Sequence, residues 1–389
     1  MHSESIVFHI FVIFTGSAIL ATLALYARQA LLVSYIVLGI AVGPLGFAIV
    51  KDTLIIKDIA EIGIIFLLFL LGLNLQPQDL LHTIRKTTVV TVTSSLIFAA
   101  LGFAIGQAFG FSLSENILIG ASAMFSSTII GLKLLPTTVL HHKHAGEVIV
   151  SILLMQDLIA IIVLLVLQGL HSDSTSLVDI GLLVLSLPLL ISFALIFERY
   201  ILVRLITQFD KIQEYIFLMT IGWCLGMAEL AKALGLSYEI GAFIGGVVLA
   251  SSPIARFIAE SLKPLRDFFL VIFFFALGAS LDLTILYAVL VPAIVLAAAM
   301  LLIKPLVFKY LMINLHENPN LSLEIGFRLG QISEFSLLIA VVALNTELIS
   351  HEASYLIQAA TIITFIASSY FIVLKYPTPI AVSDRLRRD

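Results

Sequence analysis

Gln156 and Asp157 interrupt an otherwise apolar run, Val148 to Leu167, long enough to cross a bilayer as one helix. A carboxylate near the middle of such a helix costs roughly 2.5–3.5 kcal/mol on insertion scales, which marks it as an ion or proton site. Asp157 can hold a proton or a desolvated monovalent cation, not comfortably both, and that competition is all an exchanger needs. Gln156 offers a carbonyl oxygen without added charge or, turned by about 100° on the helix, packs toward a neighbouring element.

Four further groups lie at similar depth. Lys304, inside Ala299 to Leu306 and followed by Pro305, must face protein, water or a counter-ion. Asp157 and Glu334 are its candidate partners; the alternative is a chain that snorkels to the interface. Arg328 and Glu334 share one segment but not adjacent turns of one face, so each is expected to pair with other helices, in the site or in a structural ion pair. Ser126, Ser127 and Thr128, within Ala121 to Gly131, add hydroxyls at mid-depth, and Arg328 to Ser336 is a second run of small and polar residues. Such runs let a helix unwind and free its carbonyls to coordinate a cation, or else let helices pack closely. His141, His142 and His144 form a cluster ahead of Glu147, read as a solvated loop or a pH-sensitive one, without zinc-ligand spacing. The lone Cys224, beside Trp223, excludes an intrachain disulfide and reads as a small core residue.

The elements that must position these groups are membrane helices. Of the 389 residues, 60% are apolar and 12% charged, where a soluble domain carries about 25% charged. Turn signals and charges divide the chain into about thirteen spans: 6–27, 31–50, 58–75, 88–110, 115–135, 147–170, 177–198, 213–234, 237–251, 267–282, 285–313, 321–345 and 353–374, with 237–251 and 267–282 short. The first lacks a preceding Lys or Arg and a small-residue cleavage pattern, so it reads as a retained span. With the N-terminus outside, 16 of the 21 basic residues fall on cytoplasmic joints and 3 on outside ones, which places the C-terminus in the cytoplasm. The chain reads as an all-α, multi-pass membrane protein of the cell's inner (plasma) membrane, with no soluble domain.

A displacement of 206 residues superposes the unusual segments. Glu61 to Leu75 falls on Asp267 to Leu281, pairing Phe69 with Phe275 and Gly72 with Gly278. The same shift lays Gly120 on Gly326, Ser127 on Ser333 and Gly39 on Gly245, and puts Ile362 and Ile363 opposite Gln156 and Asp157. It moves a segment by an odd number of spans, so the copies run in opposite directions. Inverted repeats of this kind bind substrate near the midplane between them. The first repeat covers about 6–170, a linker helix about 177–198, and the second repeat about 213–374.

Six motifs in order carry a resemblance: Gly39 to Pro44, Ala60 to Gly63 with Gly72 to Leu75, Ser126 to Thr128, Gln156-Asp157, Pro264 to Phe269 leading to Leu277 to Leu281, and Gly330 to Phe335. Together they resemble monovalent cation/proton antiporters of the Kef type over nearly the whole chain. The resemblance implies a sodium/proton-antiporter-like fold with a dimer domain and a six-helix core, broken spans at 115–135 and 321–345, and elevator-like movement of the core. It implies that Asp157 is the ion-binding carboxylate, that Lys304 is the lysine opposite it, and that Gln-Asp goes with potassium/proton exchange. A homodimer in membrane lipid is expected, with K+ (or Na+) and H+ as transported ions and no cofactor, enzyme activity or nucleic-acid partner. Kef-type proteins often continue into a nucleotide-binding domain, but no Gly-x-Gly-x-x-Gly fingerprint is present, so either a regulatory nucleotide-binding domain or subunit lies outside this chain or the chain belongs to a shorter branch, and nucleotide or glutathione gating does not carry over. A Na+/H+ antiporter is the alternative; a cation-coupled symporter of an organic solute and a passive channel fit the polar groups less well.

Overall fold

Each of the thirteen apolar segments forms helix in the computed structural model, which describes residues 6–27, 29, 31–44, 46–50, 54–74, 77–135, 144–170, 177–209, 212–252, 254–281 and 283–378. In chain order the helices are α1 (Ile6–Tyr26), α2 (Leu31–Val42), α3 (Leu54–Asn74), α4 (Pro77–Ala108), α5 (Leu113–Ala123), α6 (Thr128–Lys133), α7 (His144–Leu170), α8 (Leu177–Phe197), α9 (Val203–Gln208), α10 (Gln213–Ala233), α11 (Tyr238–Ala250), α12 (Ala255–Ala279), α13 (Leu283–Ala288), α14 (Leu290–Asn314), α15 (Pro319–Arg328), α16 (Glu334–Asn345) and α17 (His351–Lys375). Among the described residues six stretches, Ile6–Tyr26, Thr87–Ala108, His144–Leu164, Gln213–Ala233, Leu290–Asn314 and His351–Lys375, are long and apolar enough to cross a membrane singly. Helix is the only open-ended way to satisfy backbone groups in hydrocarbon, and no strand occurs among the described residues.

Several spans differ from their expected limits. The segment expected at 267–282 is the end of the long α12, whose first turns carry Lys263 and Arg266 and which tolerates Pro264 inside it. The span at 285–313 splits into α13 and α14, and α8 runs through a π-helical turn at Glu198–Leu202 into α9. At the end of α2 the chain leaves helix through irregular backbone in which Ala48 has φ 51°. Arg28, Lys51, His141, His142 and the basic tail at 385–388 lie outside the described residues, as do the side chains of Arg85, Lys86 and Arg256.

The helices sort into two bodies. In one, α3 packs on α11 and α12, α12 on α2, α10 on α11, and α1 on α2; α8 lies against α10 and α11. In the other, α4 packs on α5, α7 and α14, α14 on α15 and α17, and α16 on α5, α7 and α17. Lipid tails are as apolar as leucine, so such helices associate through close packing at small residues. An added Cβ on Gly39 would stand 2.2 Å from the Phe275 carbonyl oxygen and 2.7 Å from the Ala279 nitrogen; on Gly246 it would meet the Phe69 oxygen at 2.0 Å and the Leu73 nitrogen at 2.9 Å. Phe69 and Leu73 are carried onto Phe275 and Ala279 by the 206-residue shift, so the two crossings are copies of one another. Gly39 therefore corresponds to Gly246 rather than Gly245, a one-residue slip absorbed by a joint. Gly245 instead packs on Met227 and accepts a hydrogen bond from the Trp223 indole at 3.0 Å.

The second body contains the two interruptions. Its fifth span leaves helix after Met124 and resumes at Thr128; its twelfth leaves after Leu329 and resumes at Glu334. Ser127 caps α6 by accepting the Ile130 N–H at 3.1 Å, and Ser333 caps α16 by accepting the Phe335 N–H at 3.1 Å. Serine side chains compete for backbone hydrogen bonds, and these two, related by the 206 shift, stop and restart the helices at equivalent places.

A candidate ion site at two crossed helix breaks

The unwound residues expose carbonyls and amides that need partners at a depth without water. Gln156, from α7, takes one set: its Oε1 accepts the Ser126 N–H at 3.0 Å and its Nε2 donates to the Met124 carbonyl at 3.2 Å. Ser126 donates its hydroxyl to the Leu329 carbonyl at 2.8 Å, tying one break to the other. Gln331 donates to the carbonyls of Arg328 at 2.9 Å and Ser127 at 3.3 Å, and accepts the Ser368 hydroxyl at 3.0 Å. Thr364 accepts the Ile332 N–H at 3.0 Å. Ser126 and Ile332 are repeat mates, so Thr364, two places beyond Ile362, fills the part of Gln156.

Lys304 is fully buried, and its ammonium donates to the carbonyls of Phe125 at 2.6 Å and Gln331 at 3.1 Å. These carbonyls are repeat mates, so one cation bridges equivalent points of both breaks. Beneath it, 5.1 Å away, lies the ring of Phe98, the repeat mate of Lys304 itself. The expected partnership of Lys304 with Asp157 or Glu334 is not what the structure has: no ion pair among the described residues joins them. Two carbonyls freed by the breaks lie within reach of the Lys304 side chain and would otherwise be left unpaired in a dry interior.

Asp157 is 1% exposed and accepts the Thr128 hydroxyl, 3.2 Å from each carboxylate oxygen. Thr128 opens α6, so the carboxylate sits at the start of a half-helix, where backbone N–H groups point outward. Glu334, first residue of α16, lies within electrostatic reach of Asp157. The arrangement gathers a titratable carboxylate and a hydroxyl at the start of a half-helix, hard oxygens that suit a monovalent cation or a proton. Among the described residues no group of three His, Cys, Asp or Glu side chains that could hold a metal ion occurs.

Of the residues singled out by sequence, Asp157 and Thr128 come together with Glu334 in electrostatic reach, while Gln156, Ser126, Ser127 and Lys304 hold the breaks. Arg328 points elsewhere, to Glu324 on its own helix at 2.8 Å. His144, from the histidine cluster, contacts Glu317 at 2.8 Å. Gln331 falls within the second polar run, whereas Thr364, Ser368 and Phe98 are not among the residues the sequence singles out. The signal for two of them was a stripe on the last span, Gln358, Thr361, Thr364 and Ser368, at helical spacing.

A multi-pass helical protein with inverted repeats and a buried carboxylate at crossed breaks is a secondary transporter in architecture, and the comparisons agree. Residues 10–375 match the sodium/hydrogen exchanger transmembrane family, and the chain belongs to it, a family of cation/proton antiporters rather than enzymes. It is 29% identical to the iron transporter MagA of Paramagnetospirillum magneticum, over 89% of this chain and 80% of that protein. It is 26% identical to the putative cation/proton antiporter YbaL of Escherichia coli, over 92% of this chain and 66% of YbaL. It is 27% identical to K(+) efflux antiporter 4 of Arabidopsis thaliana, over 88% of this chain and 59% of that one. The chain thus spans less than two thirds of the last two. The solved sodium proton antiporter MjNhaP1 of Methanocaldococcus jannaschii shares the fold, with a TM-score of 0.67 at 19% identity, over 94% of this chain and 95% of that one.

Proposed function

We propose that this chain exchanges a monovalent cation, K+ in preference, for a proton at Asp157 by alternating access. The observation that carries the reading is the setting of Asp157, a buried carboxylate that accepts the Thr128 hydroxyl at the start of a half-helix. A group so placed is stable either protonated or with a cation drawn in beside it, and each occupant expels the other. Ser126, Ser127 and Gln156 keep the unwound backbone in shape for that exchange, and Lys304 ties the two breaks together through their carbonyls. The first repeat (6–170) and the second (213–374), joined by the linker helix at 177–198, contribute helices to both bodies. Sliding of the second body past the first would carry the site between the two sides, with the N-terminus outside the plasma membrane, the C-terminus in the cytoplasm and two copies paired through the first body.

Potassium is favoured by the Gln156-Asp157 pair and by relatives named as K(+) efflux antiporters. Sodium is the second reading, favoured by the fold shared with a sodium proton antiporter. In proteoliposomes with an imposed pH gradient, K+ is expected to dissipate the gradient at lower concentration than Na+. Dissipation by Na+ alone would reassign the ion and leave the site. A gradient collapsed equally by either cation in an Asp157→Asn variant would remove the antiport reading.

A further inference from the structure

Arg328 is the largest fully buried side chain among the described residues, and none of its hydrogen bonds reaches Asp157. Its guanidinium spends its donors on three different pieces of chain. Nε and Nη2 donate to Glu324 Oε1 at 3.0 and 2.8 Å, within α15. Nη1 donates to the Leu134 carbonyl at 2.9 Å, where the chain leaves α6. Nη2 also donates to the Pro377 carbonyl at 2.9 Å, two residues past the end of α17. Tyr376 stacks over the guanidinium at 5.7 Å, and Lys375 lies over the neighbouring Phe327 at 4.6 Å. A planar fork with five N–H groups can hold three acceptors in fixed directions, which an ammonium cannot copy.

The same residue is joined to the site through its backbone. The Arg328 carbonyl accepts from Gln331 Nε2, which also donates to Ser127, the residue before Thr128. Thr128 is the group hydrogen-bonded to Asp157. From the other end, Ser368 of α17 holds Gln331 Oε1. The last span therefore grips the second break twice, through Ser368 inside the membrane and through Pro377 after it.

We propose that Arg328 is a positioning residue that couples the chain's exit at Tyr376–Pro377 to the inner ends of both broken helices, so that displacement of that exit changes how firmly the Asp157 site holds its cation. The proposal rests on the antiport reading and adds to it a place where the segment following the last span acts on the site. Such a chain of contacts is a coupling only if perturbing it moves the distant equilibrium.

The test uses the full chain in proteoliposomes, with half-saturating cation concentration, maximal rate and pH profile measured for the parent, Arg328→Lys, Tyr376→Ala and the double variant. Arg328→Lys is expected to raise the half-saturating concentration about fivefold and shift the pH profile, with a smaller change in maximal rate. Tyr376→Ala should act in the same sense, and the double variant should resemble Arg328→Lys alone. Shifts that simply multiply, or a loss of folded protein with unchanged half-saturation and pH profile, would overturn the coupling. If Arg328→Lys fails to fold, Tyr376→Ala carries the test alone, and an unchanged half-saturation defeats the proposal. Flux that survives Asp157→Asn would instead strike the antiport reading, so the two failures are distinguishable.

Discussion

The two helix breaks share a backbone and differ in what fills them. Each restarts behind a serine cap, Ser127 and Ser333, and each offers the Lys304 ammonium one carbonyl, from Phe125 and Gln331. Each also has its exposed N–H capped from a long helix, by Gln156 in the first and Thr364 in the second. The charges, however, are not shared. Asp157 occurs only beside the first break, and Lys304 faces a repeat mate, Phe98, that is an aromatic ring. Symmetry built the scaffold, because matching crossings stabilise two copies of a fold equally. Exchange needs one titratable group, and a second carboxylate at the equivalent place would repel the first without adding a site.

If the comparison is right, substitutions at matched positions should differ in kind. The largest effect is expected from Asp157→Asn, which should abolish cation-dependent proton flux while leaving thermal unfolding of the detergent-solubilised protein nearly unchanged; Thr364→Val should do the reverse, costing about 1–3 kcal/mol of stability by leaving the Ile332 N–H unpaired while flux persists. Next is Gly246→Leu, whose side chain would run into the Phe69 carbonyl, with a Cβ only 2.0 Å away. It should prevent recovery of monodisperse protein on size exclusion, as overpacking against backbone has no low-cost relaxation. Gly39→Leu should behave alike if the crossings are true copies, whereas Gly245→Ala, facing the flexible Met227 side chain at 3.1 Å, should be recovered in near-normal amount.

Lys304→Met should lower the unfolding temperature, since two buried carbonyls lose their donor at about 1–3 kcal/mol each. If Lys304 were chiefly the counter-ion of Asp157, the same variant would shift the pH profile of exchange more than it lowers stability; relative sizes of the two effects decide between the roles. The smallest effect is expected from Phe98→Leu, about 1 kcal/mol or less from loss of the ring beneath the ammonium. An effect as large as that of Lys304→Met would mean that the ring is an equal partner.

Much of this was legible in the chain. Apolar length gave the spans, the 206-residue shift paired Phe69 with Phe275 and Gly72 with Gly278, and the Ser-rich runs foretold both breaks. Each of these is a local property, read within one segment or by comparing two. Three features were not legible, for a common reason. Gly245 is one residue from the true mate of Gly39, Lys304 bonds to carbonyls rather than to either candidate carboxylate, and nothing in the local sequence marks Thr364 as the cap of Ile332. A constant displacement cannot register a one-residue slip in a joint, and a charge count cannot anticipate which unwound carbonyls the fold brings within reach of a lysine.

The sequence by itself therefore determined the solvent the chain must live in, the order and antiparallel copying of its spans, and the one carboxylate at mid-depth of its apolar helix, Asp157. Hydrocarbon imposes those requirements on every segment separately, at several kcal/mol per unmet polar group. Only the tertiary structure decided which atoms meet: that Lys304 joins Phe125, 179 residues away, to Gln331, and that Arg328 binds the end of the last span. The partners of Lys304 exist only once two helices have broken and crossed, because they are backbone groups that an intact helix would have kept for itself, and the partner of Arg328 exists only where the last helix has ended.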